Sequence, residues 1–89
     1  MKIHPTSIIH DNSKIDDSVE IGPFCIIDEG VEIKKGTQLL SHVVLRGPTI
    51  IGEDNVFYQF STIGEDTPDK KFKGEKTKLE IGDRNIFRE

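Results

Sequence analysis

Large apolar residues recur every six positions along this chain, and that spacing constrains its fold more than any other feature. A helix asks for apolar residues three or four apart and a strand for residues two apart, so neither element alone explains a period of six. The stretch SVEIGPFCIIDEGVEIKKGTQ, residues 18–38, shows the period. Outside one polar stretch, every slot of this frame holds Ile, Leu or Phe: Ile3, Ile9, Ile15, Ile21, Ile27, Ile33, Leu39, Leu45, Ile51, Phe57, Ile63, Ile81 and Phe87.

A second column lies two residues before the first. Its members are small or β-branched, such as Val19, Cys25 and Val31, except for Asn55. Because residues i and i−2 of a strand face the same side, each hexad predicts a very short strand with one small and one large residue inward. Turn residues such as Gly22-Pro23 follow the apolar slots, where glycine tolerates positive φ.

Hexapeptide repeats of this kind indicate a parallel β-helix. If each hexad forms one face, three faces close a coil of 18 residues, and residues 18 apart stack at the strand spacing of about 4.8 Å. Ile9 would then lie under Ile27, and Ile15 under Ile33. An antiparallel sandwich is the alternative, but its strands alternate at two and vary their turns. We therefore predict an all-β fold.

One stretch, EDTPDKKFKGEKTK at residues 65–78, breaks the frame. Asp69 and Glu75 stand where the repeat calls for apolar residues, and neither can lie unpaired in a core. We expect an extruded loop here, after which Leu79 and Ile81 resume the inward pair. The loop is either solvated and without a role or, as long loops on rigid scaffolds often are, functional.

Composition excludes several classes of function. The net charge of −4 argues against a nucleic-acid partner. The longest hydrophobic run is Phe24–Ile27, too short to span a membrane, and the N-terminus has no signal-peptide core, which leads us to expect a cytoplasmic protein. With one cysteine, Cys25, neither an internal disulfide nor a multi-cysteine zinc site is possible, and a buried filler is favoured over a nucleophile. We expect no metal and no cofactor.

Several stretches resemble one family. The segments HPTSII, IGPFCII, SHVVLRGPTIIGEDN, YQFSTIGE and LEIGDRNIFRE, taken in this order, are similar to the hexapeptide-repeat O-acyltransferases that join an acyl chain from acyl carrier protein to UDP-N-acetylglucosamine. The resemblance covers residues 4–89. It implies a left-handed parallel β-helix, a homotrimer with active sites between subunits, and transfer of a 3-hydroxyacyl chain to the sugar 3-hydroxyl in the first step of lipid A synthesis.

The resemblance also implies substrate-contacting residues. Asp69 and Lys71, within PDKKFKGE, match the acidic and basic positions of the family's substrate loop. A solvated charge pair is the alternative. The reaction needs a general base, and in the family that histidine lies beyond the residues matched here. His4, His10 and His42 are expected to be surface or structural residues, so we assign no catalytic residue.

We therefore expect residues 1–89 to form one β-helix domain, the N-terminal part of a longer acyltransferase that supplies scaffold and substrate loop without being active alone. Two alternatives stay open. One is a different hexapeptide-repeat acyl- or acetyltransferase with another acceptor. The other is a non-catalytic β-helix that serves as an assembly module.

Overall fold

The computed structural model of the chain describes residues 1–64 and 79–88. These residues contain thirteen strands of two or three residues each and no helix, hence no helix that could cross a membrane. The strands are β1 (Lys2–Ile3), β2 (Ile8–Ile9), β3 (Lys14–Ile15), β4 (Glu20–Ile21), β5 (Ile26–Ile27), β6 (Val31–Ile33), β7 (Gln38–Leu39), β8 (Val44–Leu45), β9 (Thr49–Ile51), β10 (Val56–Phe57), β11 (Thr62–Ile63), β12 (Leu79–Ile81) and β13 (Ile86–Phe87).

Every third strand joins the same parallel sheet, which gives the molecule three faces. Face A has the order β1-β4-β7-β10-β13, face B the order β2-β5-β8-β11, and face C the order β3-β6-β9-β12. The architecture is a left-handed parallel β-helix, so the predicted fold class is confirmed. The predicted extruded loop at residues 65–78 lies outside the described residues.

The register is the one that the period of six predicts. On face B, Ile9 pairs with Ile27 and Ile27 with Leu45, each 18 residues on. On face C, Ile15 pairs with Ile33 and Ile33 with Ile51. The inward residues therefore form continuous ladders along the axis, as expected.

The strands of the last coil lie on the same three faces, but the paired residues are further apart in sequence. Ile81 pairs with Ile51 and Phe87 with Phe57, offsets of 30 residues in place of 18. The twelve additional residues fall between Gly64 and Leu79. The strands on either side of this interval therefore occupy successive faces, B and then C, as they would if the twelve residues were absent.

The inward ladders form the core. Ile27, Leu45 and Phe57 are at most 1% exposed, and the small column beside them, Val19 and Cys25 included, is equally buried. Asn55, the polar exception in that column, is also fully buried. Slots in the terminal coils, such as Ile9 and Phe87, are partly exposed because they have a neighbouring coil on one side.

The corners correct one expectation. Glycines after the apolar slots were expected to supply positive φ, yet Gly22 does not have it, whereas Phe24 at the same corner does, with φ 59°. Gly22 is needed for space, since a Cβ there would overlap the carbonyl oxygen of Leu40 in the next coil. Phe24 is one of five non-glycine residues of the described chain in the left-handed region, with His42, Asp54, Phe60 and Arg84.

Candidate functional site

The two ends of the interval 65–78 lie at one corner of the prism. Gly64 follows face B with φ 78°, and a Cβ there would overlap the carbonyl oxygen of Arg46 in the coil beneath. Leu79 begins face C and donates its backbone N–H to Pro48 O over 3.1 Å. Gly64 and Leu79, which flank the interval, are thus both packed on residues 46–48 of the preceding coil. Asp69 and Lys71, the predicted substrate-contacting residues, lie between these ends and outside the described residues.

The three histidines lie apart and make local contacts. His4 Nδ1 is 2.9 Å from Thr6 Oγ1, and His10 Nδ1 accepts the backbone N–H of Asn12 over 3.0 Å. His42 stacks between two aromatic rings at an outer corner. Among the residues that the structure describes, no carboxylate holds a histidine as it would an oriented general base. The prediction that they are surface or structural residues agrees with these contacts.

Cys25 is a core residue. It is 1% exposed, and its burial raises the pKa of the thiol above the ordinary 9.0. A nucleophilic cysteine needs the opposite, a lowered pKa and access to substrate. In the part of the chain that the structure describes, no three His, Cys, Asp or Glu side chains cluster as a metal site would require.

Face B carries an exposed apolar surface. Its outward side chains include Ile8, 65% exposed, and Ile26, 39% exposed. At the corner where face B begins, Phe24, His42 and Phe60 stack with ring centroids 5.1 Å apart in each step. Phe24 and Phe60 remain 55% and 58% exposed. We call these five residues the aromatic corner surface; apolar surface left in contact with water in this way typically marks an interface.

The outer surfaces of faces A and C differ from this one. On face A, Lys2, Glu20 and Gln38 point outward along an open groove of about 650 Å³. On face C, Lys14 and Glu32 occupy the equivalent positions. Val56 and Ile86 on face A and Ile50 on face C are apolar and outward too, but they share their faces with these charged residues. Charged side chains are costly to bury in an interface core, so face B is the face best suited to contact another protein.

Sequence reasoning did not identify the aromatic corner surface. Phe24, His42 and Phe60 are spaced by 18, the coil length, so the signal was present in the residue numbers. It was hidden because the three precede the small inward column by one position, where the frame calls for a turn residue. Only the left-handed backbone at this corner turns their rings outward into one stack.

Comparisons with known proteins agree on one family. No family model matches the chain. The acyl-[acyl-carrier-protein]–UDP-N-acetylglucosamine O-acyltransferase of Saccharophagus degradans is 59% identical over 87 residues, which cover 98% of this chain and 34% of the relative. The chain thus spans about a third of the length of this relative.

Two crystal structures give the same result. A UDP-N-acetylglucosamine acyltransferase superposes with a TM-score of 0.93 at 39% identity, over 100% of this chain and 34% of the other. The UDP-N-acetylglucosamine O-acyltransferase of Moraxella catarrhalis superposes with a TM-score of 0.92 at 49% identity, over 100% and 35%. By sequence and by fold, the chain belongs to the acyl-[acyl-carrier-protein]–UDP-N-acetylglucosamine O-acyltransferase family and corresponds to its N-terminal part.

Proposed function

We propose that this chain is the N-terminal scaffold and substrate loop of an enzyme that transfers a 3-hydroxyacyl chain from acyl carrier protein to the 3-hydroxyl of UDP-N-acetylglucosamine, the first step of lipid A synthesis. The observation that carries the proposal is 59% identity over 98% of the chain to an enzyme whose name states this donor and acceptor. The packing of Gly64 and Leu79 supports it, because both flanks of the interval 65–78 lie on the same corner of the preceding coil.

The chemistry requires more than the described residues offer. The sugar oxygen attacks the thioester carbonyl, the carbon–sulfur bond breaks, and the carrier's thiol leaves, while a general base takes the hydroxyl proton. None of His4, His10 and His42 is placed for this task. We therefore propose that the chain positions the acceptor and that the base comes from another part of the complete enzyme.

Asp69 and Lys71 are our proposed acceptor contacts. An ammonium group suits the diphosphate of a nucleotide sugar, and a carboxylate accepts hydrogen bonds from sugar hydroxyls. With one residue between them in sequence, the two can reach adjacent parts of one ligand. Their position between Gly64 and Leu79 would hold them beside the corner at which faces B and C meet.

We further propose that the chain self-associates as a homotrimer through the aromatic corner surface. Identical β-helices share the same axial repeat of about 4.8 Å, so the ladder Phe24–His42–Phe60 of one copy can pack in register along a ladder of the next. The outward residues of face B, Ile8, Ile26 and Val44 among them, are uncharged, and this supports the choice of this face.

Titration with UDP-N-acetylglucosamine tests the acceptor proposal. We expect amide shifts concentrated at residues 65–78, and a loss of affinity of about tenfold or more in both Asp69→Ala and Lys71→Ala. Lys2→Ala is the control, because it removes the same charge from a distant position on face A. Binding that is unaffected by both loop variants would contradict the assignment.

The same titration separates the alternatives. Shifts induced by a different nucleotide sugar, and not by UDP-N-acetylglucosamine, would indicate another hexapeptide-repeat acyl- or acetyltransferase. No shift with any nucleotide sugar would favour the non-catalytic assembly module. Product formed from 3-hydroxyacyl carrier protein by the complete enzyme, and lost in Lys71→Ala, would support the full reaction.

A further inference from the structure

Polar residues of the inward small column bind the next coil in a repeated way. Ser7 Oγ donates to Gly22 O over 2.6 Å and accepts the N–H of Cys25 over 2.9 Å. The two partners lie 15 and 18 residues further along the chain. One side chain therefore holds both a carbonyl and an amide of the coil above it.

Thr37 repeats this contact on another face. Its Oγ1 donates to Gly52 O over 2.9 Å and accepts the N–H of Asn55 over 3.2 Å, again 15 and 18 residues on. The acceptor is once more a glycine. The contact therefore recurs on two faces, and we call it the inter-coil clip. The other polar residues of the column, Ser13, Thr49 and Ser61, donate instead to the carbonyl three residues before them.

Asn55 makes the third clip, and it does so across the interval 65–78. Its Nδ2 donates to Gly82 O and its Oδ1 accepts the N–H of Asn85, both over 2.8 Å. The offsets are 27 and 30 residues, each twelve more than in the other clips. Asn55 therefore joins the coil before the interval directly to the coil after it.

The apolar residues themselves allow two registers. Twelve residues are two hexads, so Ile81 could stack on Ile63, with Asp69 and Glu75 then falling in inward slots, or on Ile51. Burial of two unpaired carboxylates opposes the first register, and in the structure Ile81 pairs with Ile51. In it, the fully buried amide of Asn55 meets Gly82, the same partner type that Ser7 and Thr37 have.

Burial makes this contact a second determinant of the register. A buried amide left without partners costs about 1–3 kcal/mol, whereas an exposed one can turn to water. The neighbouring bonds of the re-entry corner, such as Glu53 N–H to Asp83 Oδ1 at 2.7 Å, join exposed residues. They reinforce the register but exclude the alternative less strongly.

We propose that Asn55 is a positioning residue. It fixes the register at which the chain rejoins the β-helix at residues 79–88, and through it the placement of the segment that carries Asp69 and Lys71. This role for the acceptor rests on the proposed function, whereas the register role does not.

Hydrogen exchange in the 89-residue chain tests whether Asn55 fixes the register of residues 79–88. Asn55→Val removes the clip, and Asn55→Thr restores a hydroxyl to the same shape. Ser7→Val is the matched control, because it removes a clip between coils with no interval between them and Ser7 does not contact Asn55. We expect the Asn85 amide to exchange at least tenfold faster in Asn55→Val, to recover in Asn55→Thr, and to be unchanged in Ser7→Val.

Two results would overturn the register role. One is an Asn85 amide that exchanges in the unaltered chain as fast as an exposed amide, a measurement that holds even if Asn55→Val does not fold. The other is faster exchange at residues 79–88 in Ser7→Val as large as that in Asn55→Val, since a general loss of stability would then explain both.

Affinity for UDP-N-acetylglucosamine tests whether Asp69 and Lys71 are positioned through Asn55. Weaker binding by Asn55→Val, recovered in Asn55→Thr, supports placement of the substrate segment by Asn55. Equal binding by all variants overturns it. If the unaltered chain does not bind the nucleotide sugar although Asn85 exchange responds as expected, the proposed function fails and the register role stands.

Discussion

At the scale of single residues, two glycines in equivalent positions have different surroundings. A Cβ on Gly22 would overlap the Leu40 carbonyl of the next coil, whereas Gly82 lies in the last coil that the structure describes, and the nearest heavy atom to a Cβ there is Asn85 Nδ2 at 4.0 Å. Neither glycine has positive φ. Glycine is therefore needed at Gly22 because the next coil approaches closely, and not because of the backbone conformation.

This difference predicts unequal effects of the same substitution. Gly22→Ala should lower the free energy of unfolding by about 1–3 kcal/mol, because adjacent coils must separate to accommodate the methyl group. Gly82→Ala is the control, and we expect it to change that free energy by less than about 0.5 kcal/mol. Urea unfolding of both variants measures this. Equal losses would show that spacing between coils is not the cause.

Cys25 predicts a pH dependence of stability. Burial raises the pKa of its thiol above 9.0, so the folded chain holds the proton more tightly than the unfolded chain. Its contribution is fully present below pH 9 and is lost as the pH rises through the folded pKa. Cys25→Val, which copies the residue at Val19, Val31 and Val43, should therefore lose less stability than the unaltered chain in alkaline solution. Parallel loss in the two chains would contradict this.

At the scale of elements, the corner before face B combines strain with exposure. Phe24, His42 and Phe60 all have φ between 52° and 66°, a region that costs non-glycine residues about 1–2 kcal/mol each. Their stacking returns part of this cost, since aromatic pairs contribute about 0.5–1.5 kcal/mol beyond burial. A partner that covers the exposed rings would return more.

Self-association should therefore depend on these rings. We expect the double variant Phe24→Ser, Phe60→Ser to weaken association at least tenfold in sedimentation equilibrium. Ile50→Ser, on the outer side of face C, removes a comparable apolar group and should leave association unchanged. A monomeric unaltered chain, or equal weakening in both variants, would rule out the aromatic corner surface as the subunit contact.

The period of six was enough to predict most of these elements. It predicts where Ile27, Leu45 and Ile51 point, because a slip of one residue would bring the preceding column inward, and that column contains Lys14, Glu20 and Glu32. It does not predict the left-handed backbone of Phe24 or the outward stack, since residue type there opposes the conformation. It predicts that Leu79 and Ile81 resume the inward pair, because Asp69 and Glu75 cannot fill inward slots, but it does not predict the contacts of Asn55 with Gly82 and Asn85.

At the scale of the whole molecule, the three ladders and the inter-coil clips form one structure. Apolar slots determine which residues are inside, and buried polar residues such as Asn55 determine which coils are neighbours. The family's proposed chemistry depends on both, because a substrate loop can be placed only if its two ends are. Asp69 and Lys71 could be proposed only from the resemblance to the family, because the polar sequence around them has no apolar pattern that would predict their contacts.

The most direct test of this account is the methyl contact made by Ile81. Nuclear Overhauser effects in the uniformly labelled chain should connect the side chains of Ile33 with Ile51 and of Ile51 with Ile81, one coil apart along face C. Contacts between Ile81 and Ile63 instead, or the absence of contact between Ile51 and Ile81, would contradict the register on which the fold, the position of residues 65–78 and the role of Asn55 all depend.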